Sequence, residues 1–300
     1  MSDEGAVSPP PAVLGHRQIL IAFSGLVLAM LLAALDSTIV STALPTIVSE
    51  LGGLEHLAWV VTVYLLAQTI VTPIYGKLGD LYGRKIVLQS AIVLFLAGSA
   101  LCGLSRNMTE LIVFRAVQGL GGGGLTVTTQ AVVGDIVPPR DRGRYQGIFG
   151  AVFGFASIAG PLLGGYFTTH LSWRWIFYIN LPFGVAALVV LAATLPSIAK
   201  RAARTIDYTG AALLAVVLSA ITLLSDVGGS AYSWTSPTAI GLVGVSVLAL
   251  VLFALVERRA AEPVLPLHLF RQQTFVVTSG IGLIVGFALF GSVTYFPLYL

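Results

Sequence analysis

Nine stretches of apolar residues, each long enough to cross a bilayer as a helix, dominate this chain. They lie near residues 18–40, 57–75, 86–104, 109–133, 145–168, 175–195, 208–226, 237–256 and 274–300, and the first continues past Pro45 to about Val48. A hydrocarbon core of about 30 Å is spanned by about 20 helical residues. A membrane β-barrel would instead show segments of about ten alternating residues, and the runs do not alternate. The expected fold class is an all-α membrane protein with about nine transmembrane helices. Charge content points the same way. Only 10% of the residues are charged, against about 25% in soluble domains, too few to cover a water-facing surface.

The sparse charges set an orientation. Arg17 precedes span 1; Lys77, Arg84 and Lys85 separate spans 2 and 3; Arg140, Arg142 and Arg144 separate spans 4 and 5. Lys200, Arg201 and Arg204 follow span 6, and Arg258, Arg259 and Arg271 follow span 8. The opposite loops hold only Arg106 and Arg174. The positive-inside rule then places the N-terminus in the cytoplasm. The pI of about 9.1 is thereby a matter of topology, and no nucleic-acid partner is expected. One cysteine, Cys102, and four scattered histidines exclude a disulfide framework and offer no metal site. No nucleophile–base pairing is visible either, so an enzyme is not expected.

Residues 1–16, with Pro9, Pro10 and Pro11, lack a signal peptide's basic start and cleavage site and read as a disordered cytoplasmic tail. An odd number of spans places the C-terminus outside. No polar tail follows Tyr295–Leu300, and the chain reads as truncated.

Ionisable residues inside spans are functional pointers, because each costs about 2.5–3.5 kcal/mol at a helix centre. Asp36 lies in span 1, within Leu35-Asp36-Ser37-Thr38. It is either a carboxylate tied to Ser or Thr for packing, or a protonatable, cation-binding group facing an aqueous cavity. Arg115 lies in span 4 and stays charged at every relevant pH. Either it bonds backbone carbonyls structurally, or it biases the protonation of a nearby carboxylate. Asp135, near the cytoplasmic end of span 4, reads as an interface residue.

Glycines add packing information. Gly119 and Gly121–Gly124 follow no strand and precede no Gly-Lys-Ser/Thr, so they are not a phosphate loop; small residues in an apolar helix let a neighbour approach closely. Gly160-Pro161-Leu162-Leu163-Gly164-Gly165 combines a proline kink with small residues and reads as a bend or sliding surface. The segment Gly76–Lys85 joins spans 2 and 3, with Gly76, Gly79 and Gly83 allowing a tight reversal. Asp80 and Arg84 stand four residues apart and pair if helical. A carboxylate held there also suits the positive end of another helix.

The Gly76–Lys85 segment resembles the signature between spans 2 and 3 of the major facilitator superfamily. Leu35–Pro45 resembles the span 1 motif of that superfamily's fourteen-span drug:proton antiporters, and Arg115-Ala116-Val117-Gln118-Gly119 their span 4 motif. Gly160–Gly165 resembles the span 5 antiporter motif, although Ala156 stands where that pattern usually has glycine. Trp173–Pro182 is similar to that family's start of span 6. The resemblance covers essentially the whole chain.

It implies two six-span bundles, each of inverted three-span repeats, rocking around a midplane site. Residues 17–195 would be the N-terminal bundle, 196–259 a linker of two extra spans, and 260–300 the start of the C-terminal bundle, giving nine of fourteen spans. The implied activity is plasma-membrane export of hydrophobic or cationic small molecules, driven by protons, without a cofactor, by a chain expected to be a monomer in the lipid bilayer. Asp36 would bind a proton or the substrate's charge, and Arg115 would tune that proton. Asp80 and Arg84, with Gly76, Gly79 and Gly83, would form a cytoplasmic latch. Gly160, Pro161, Gly164 and Gly165 would be the antiporter motif. Trp59, Tyr64 and Gln68 are candidate cavity residues, with packing or interface anchoring as the alternative. The rival readings are a nutrient or metabolite symporter of the same superfamily and a non-transporting membrane receptor or assembly subunit.

Overall fold

The apolar runs become helices packed side by side. The computed structural model describes residues 16–196, 207–227, 233–260, 263–265 and 267–295. The helices are α1 (His16–Leu51), α2 (Leu57–Tyr82), α3 (Arg84–Leu104), α4 (Met108–Ile136), α5 (Arg142–His170), α6 (Trp175–Tyr178), α7 (Asn180–Thr194), α8 (Tyr208–Val227), α9 (Pro237–Glu257) and α10 (Gln273–Tyr295). Short 3₁₀ turns cover Leu54–His56 and Leu267–Arg271. Among the described residues there is no strand. Among the described residues eight helical segments are long and apolar enough to cross a membrane, with α6 and α7 forming one of them, and α10 occupies the ninth run. The tail at 1–15, the Lys200–Arg204 charges and the chain end at 296–300 lie outside the described residues.

Helix α1 continues past residue 40 through Pro45 to Leu51, close to the end expected near Val48, because its polar residues do not compete with the helix. Ser37, Ser41 and Thr42 each return a hydroxyl bond to the carbonyl three residues earlier, so their hydroxyls are satisfied without leaving the helix. Helix α2 absorbs most of the segment expected to be a loop. Gly76 and Gly79 are helical, and the reversal falls on Gly83 alone, at φ 89°. Elsewhere, the expected sixth span is interrupted at Ile179. Pro182 has no N–H to offer the Tyr178 carbonyl one turn back, which weakens the helix there.

Helix α4 lies between α2 and α3, α1 packs on α5 and α7, and α8 and α9 form a hairpin whose first helix touches α2. Glycines allow the closest of these approaches. A Cβ on Gly98 of α3 would stand 2.6 Å from the Gln118 backbone of α4, and one on Gly121 of α4 would stand 2.6 Å from Phe95 Cα. One hydrophobic cluster holds Leu26, Met30, Phe95, Leu125 and Leu191; a second holds Ile39, Val60, Leu111, Trp173 and Phe177. Between them, along α1 and α4, fall Asp36 and Arg115. Large apolar side chains such as Phe155, Ile158, Leu162, Val189 and Leu248 face outward, as lipid requires.

The α3–α4 contact predicts a clear asymmetry. Gly121→Ala should lower unfolding free energy by about 1–3 kcal/mol through overpacking. Gly134→Ala, on the same helix but with nothing within 4 Å, should leave it unchanged or slightly raised. Thermal unfolding of the full-length protein in detergent measures both.

Candidate functional site

The centre of the bundle holds a buried polar cluster on otherwise apolar helices. Helix α1 supplies Asp36, at 0% exposure, and α4 supplies Arg115, at 1%. Arg115 Nη1 donates to Asp36 Oδ2 at 2.6 Å and to Gln118 Oε1 at 2.9 Å. Its Nε donates to the Val60 carbonyl of α2 at 3.2 Å. The guanidinium also lies 4.1 Å from the centre of the Tyr64 ring and 5.9 Å from that of Phe177. Those faces favour a cation where water is absent.

The second carboxylate oxygen is held by amides. Gln118 Nε2 donates to Asp36 Oδ1 at 2.7 Å and to Ser99 Oγ at 3.2 Å. Asn180 Nδ2 donates to the same Oδ1 at 3.3 Å and to Ser99 Oγ at 3.0 Å. Ser99 donates to the Phe177 carbonyl at 2.9 Å, and Cys102 Sγ lies 3.5 Å from Gln118 Oε1. Six helices, α1, α2, α3, α4, α6 and α7, therefore converge on one ion pair. Two buried atoms at its border, Tyr64 Oη and Asn180 Oδ1, have no hydrogen-bond partner. Desolvation costs several kcal/mol per ion, offset only when geometry and extra hydrogen bonds are good. Here the pair has both.

The two ionisable residues singled out by sequence are thus in direct contact. Among the described residues Asp36 faces no opening: Arg115, Gln118 and Asn180 hold the carboxylate, and the cation and amides stand where water would otherwise bond it. Arg115 bonds a backbone carbonyl and a carboxylate at once. Tyr64 is part of the cluster. Trp59 is 38% exposed on the bundle surface and Gln68 lies half-buried one turn beyond Tyr64, so neither touches the ion pair. Gln118 and Asn180 lie within the quoted motifs and Cys102 is the lone cysteine, but none of them, nor Ser99, was expected in the site. Gln118 stands three residues from Arg115, a spacing that places both on one helix face; a lone serine in an apolar helix gave no signal.

Helix α5 meets α1 beside the cluster. Thr38 Oγ1 donates to the Ala156 carbonyl at 2.9 Å, and Gly160 and Gly164 lie against Thr38 and Thr42. Pro161 is exposed, and a Cβ on Gly165 would meet nothing within 4 Å, so only two of the four motif residues form the contact.

Charged ties close both ends of the bundle. Where α2 turns into α3, Arg84 bonds Asp80 at 3.2 Å and Asp135 of α4 at 2.8 Å. Asp135, expected to be an interface residue, is an ion-pair partner. Lys85 Nζ donates to the Ala192 and Leu195 carbonyls at 2.7 Å each, tying down the end of α7. Gly76 and Gly79 sit in the helix leading to this tie, and Gly83 makes its turn. At the far end Glu50 bonds Arg174, and accepts from Trp173 Nε1 at 2.8 Å.

Residues 26–300 match the sequence profile of the Major Facilitator Superfamily. An uncharacterized MFS-type transporter of Mycobacterium tuberculosis is 47% identical over 280 residues, 93% of this chain and 41% of its own length. The multidrug transporter protein MdtP of Bacillus subtilis is 41% identical over 300 residues, 100% of this chain and 54% of its own. Multidrug resistance protein 3 of the same bacterium is 40% identical over 262 residues, 87% and 51% respectively. The chain thus spans about half the length of these relatives. In fold, it resembles the crystal structure of a D-xylose–proton symporter, with TM-score 0.53 and 17% identity, covering 79% of this chain and 67% of that one.

The enclosed ion pair predicts non-additive energetics. Arg115→Met strands a buried carboxylate and should lower unfolding free energy by about 3–5 kcal/mol. Adding Asp36→Asn should recover most of that loss, because no unpaired charge remains. Unfolding of the two variants and the double variant in detergent checks this; additive losses would contradict it.

Proposed function

The chain belongs to the Major Facilitator Superfamily, and from that premise we propose that the protein exports hydrophobic or cationic small molecules across the plasma membrane, driven by inward proton flow. The observation that carries this reading is the Asp36–Arg115 ion pair, buried at the level between the two hydrophobic clusters. A bundle that needed only stability gains little from such a pair, since apolar residues of similar volume do as well or better. An intramembrane carboxylate that can take up a proton or a cation is useful to a transporter.

In the proposed cycle, Asp36 alternates between three partners: Arg115, a proton and the substrate's positive charge. Protonation removes one half of the ion pair. Arg115 then keeps the Val60 carbonyl, Gln118 Oε1 and the Tyr64 face, so its charge is not stranded. The two protonation states therefore favour different helix arrangements, and proton binding shifts the population between them. The alternation exposes the site first to one side and then the other, with α1 sliding on α5 along the Gly160 and Gly164 contact. The Asp80–Arg84–Asp135 tie serves as the cytoplasmic latch, with the N-terminus on that side. The α8–α9 hairpin takes the place of the extra pair in a fourteen-span arrangement, and the proton gradient supplies the energy without a cofactor.

Efflux is favoured over symport by the multidrug transporter names of the Bacillus relatives at 40–41% identity. The likeness to a sugar symporter concerns the fold alone. In the full-length protein, Asp36→Asn should abolish proton-linked efflux of a lipophilic cation such as ethidium, measured in everted vesicles. Unchanged efflux would remove Asp36 from this role.

A further inference from the structure

The buried cluster contains one group poised to answer a change at Asp36. An ionised carboxylate only accepts hydrogen bonds, and each oxygen of Asp36 is met by donors. Oδ2 faces the Arg115 cation at 2.6 Å. Oδ1 faces only neutral amides, Gln118 Nε2 at 2.7 Å and Asn180 Nδ2 at 3.3 Å. A proton arriving at Asp36 therefore goes to Oδ1, away from the cation. There the new O–H meets two N–H donors and has no acceptor. One amide must turn over.

Gln118 is fixed. Its Oε1 accepts from Arg115 at 2.9 Å and lies 3.5 Å from Cys102 Sγ. Reversing it would aim an NH₂ group at a guanidinium. Asn180 differs on every count. Its bond to Asp36 is the longer one, and its Oδ1 is buried without a partner. Its other contact, to Ser99 Oγ, is shared with Gln118, so Ser99 keeps one donor when Asn180 leaves. By turning, Asn180 exchanges its two Nδ2 bonds and leaves that NH₂ where the oxygen now lacks a partner, but it gives Oδ1 a bond and the new O–H the acceptor that no other group offers.

We propose that Asn180 is the residue that senses the proton on Asp36, donating to the carboxylate through Nδ2 and, turned over, accepting from the carboxylic acid through Oδ1. This rests on the reading of Asp36 as the proton-binding group. The groups facing Asp36 are Arg115 and Gln118 from α4, Asn180 from α7, and Ser99 from α3 behind the two amides, with Tyr64 of α2 and Cys102 of α3 bordering Arg115 and Gln118. Of the titratable ones, only Arg115 touches the carboxylate. Asn180 opens α7, directly after the break at Ile179, so a change in its hydrogen bonding acts where that span is least continuous. Asn180 is a positioning residue for the proton, not its carrier.

Infrared difference spectroscopy of the full-length protein, with isotope-labelled asparagine, follows both partners on acidification. The carboxylic-acid band of Asp36, identified by its loss in Asp36→Asn, should rise with the same pH midpoint at which a labelled asparagine side-chain band shifts. In Asn180→Leu the asparagine shift should vanish, and the Asp36 acid band should move to the higher frequency of a carbonyl group whose O–H has lost its acceptor. Its midpoint should change less than threefold in proton concentration. A wild-type acid band without an asparagine shift overturns the proposal. So does an Asn180→Leu midpoint displaced tenfold or more with the acid band unmoved, the result for a residue that only donates to the carboxylate. Should no Asp36 acid band appear in the wild type at any pH, the proton-binding reading itself fails. The wild-type spectra decide the matter even where Asn180→Leu does not fold.

Discussion

A single ion pair in a place that excludes water organises the centre of this bundle. Asp36 and Arg115 come from different helices, α1 and α4, and their union depends on what surrounds it. Gly98 must lack a side chain so that α3 can lie against the Gln118 backbone and bring Ser99 to the amides. The break before α7 sets Asn180 within reach of the carboxylate. Tyr64 must turn its face to the guanidinium, and does so at the expense of a hydroxyl left without a partner. Half-satisfied polar networks in a low-dielectric interior are costly, and the two orphaned atoms at the rim of this one mark where it is least settled.

The ties at the two ends have a different character. Arg84 with Asp80 and Asp135, and Glu50 with Arg174 and Trp173, are partly exposed. Exposed pairs contribute little stability singly. Their value lies in geometry: each joins elements that the central pair does not, and each can open and reform at small cost. A strongly coupled centre with weakly closed ends is what a bundle needs if it is to move as a body while its interior changes charge.

The helices themselves were legible in the sequence because lipid imposes a length and a polarity on whatever crosses it. Asp36 and Arg115 were legible for the same reason, standing out as ionisable residues in apolar runs. Much of the rest was not. Gly76 and Gly79 suggested a turn, yet glycine permits a reversal without requiring one, and the helix continued to Tyr82. Ser99 carries no charge and costs little to bury when paired, so nothing in the sequence separated it from ordinary packing residues; Gln118 and Asn180 lie within matched motifs, but no charge marked them as partners of Asp36. The partnership of Arg84 with Asp135 joins residues 51 positions apart, a distance that no local spacing rule reaches.

The central claim is that one carboxylate, Asp36, exchanges a proton for a cationic substrate. The most direct test is to titrate the purified full-length protein with a lipophilic cation in weakly buffered detergent solution and record proton release. The account predicts about one proton released per cation bound by the wild type at a pH where Asp36 is protonated, and none by Asp36→Asn. Equal proton release from the wild type and from Asp36→Asn would contradict it.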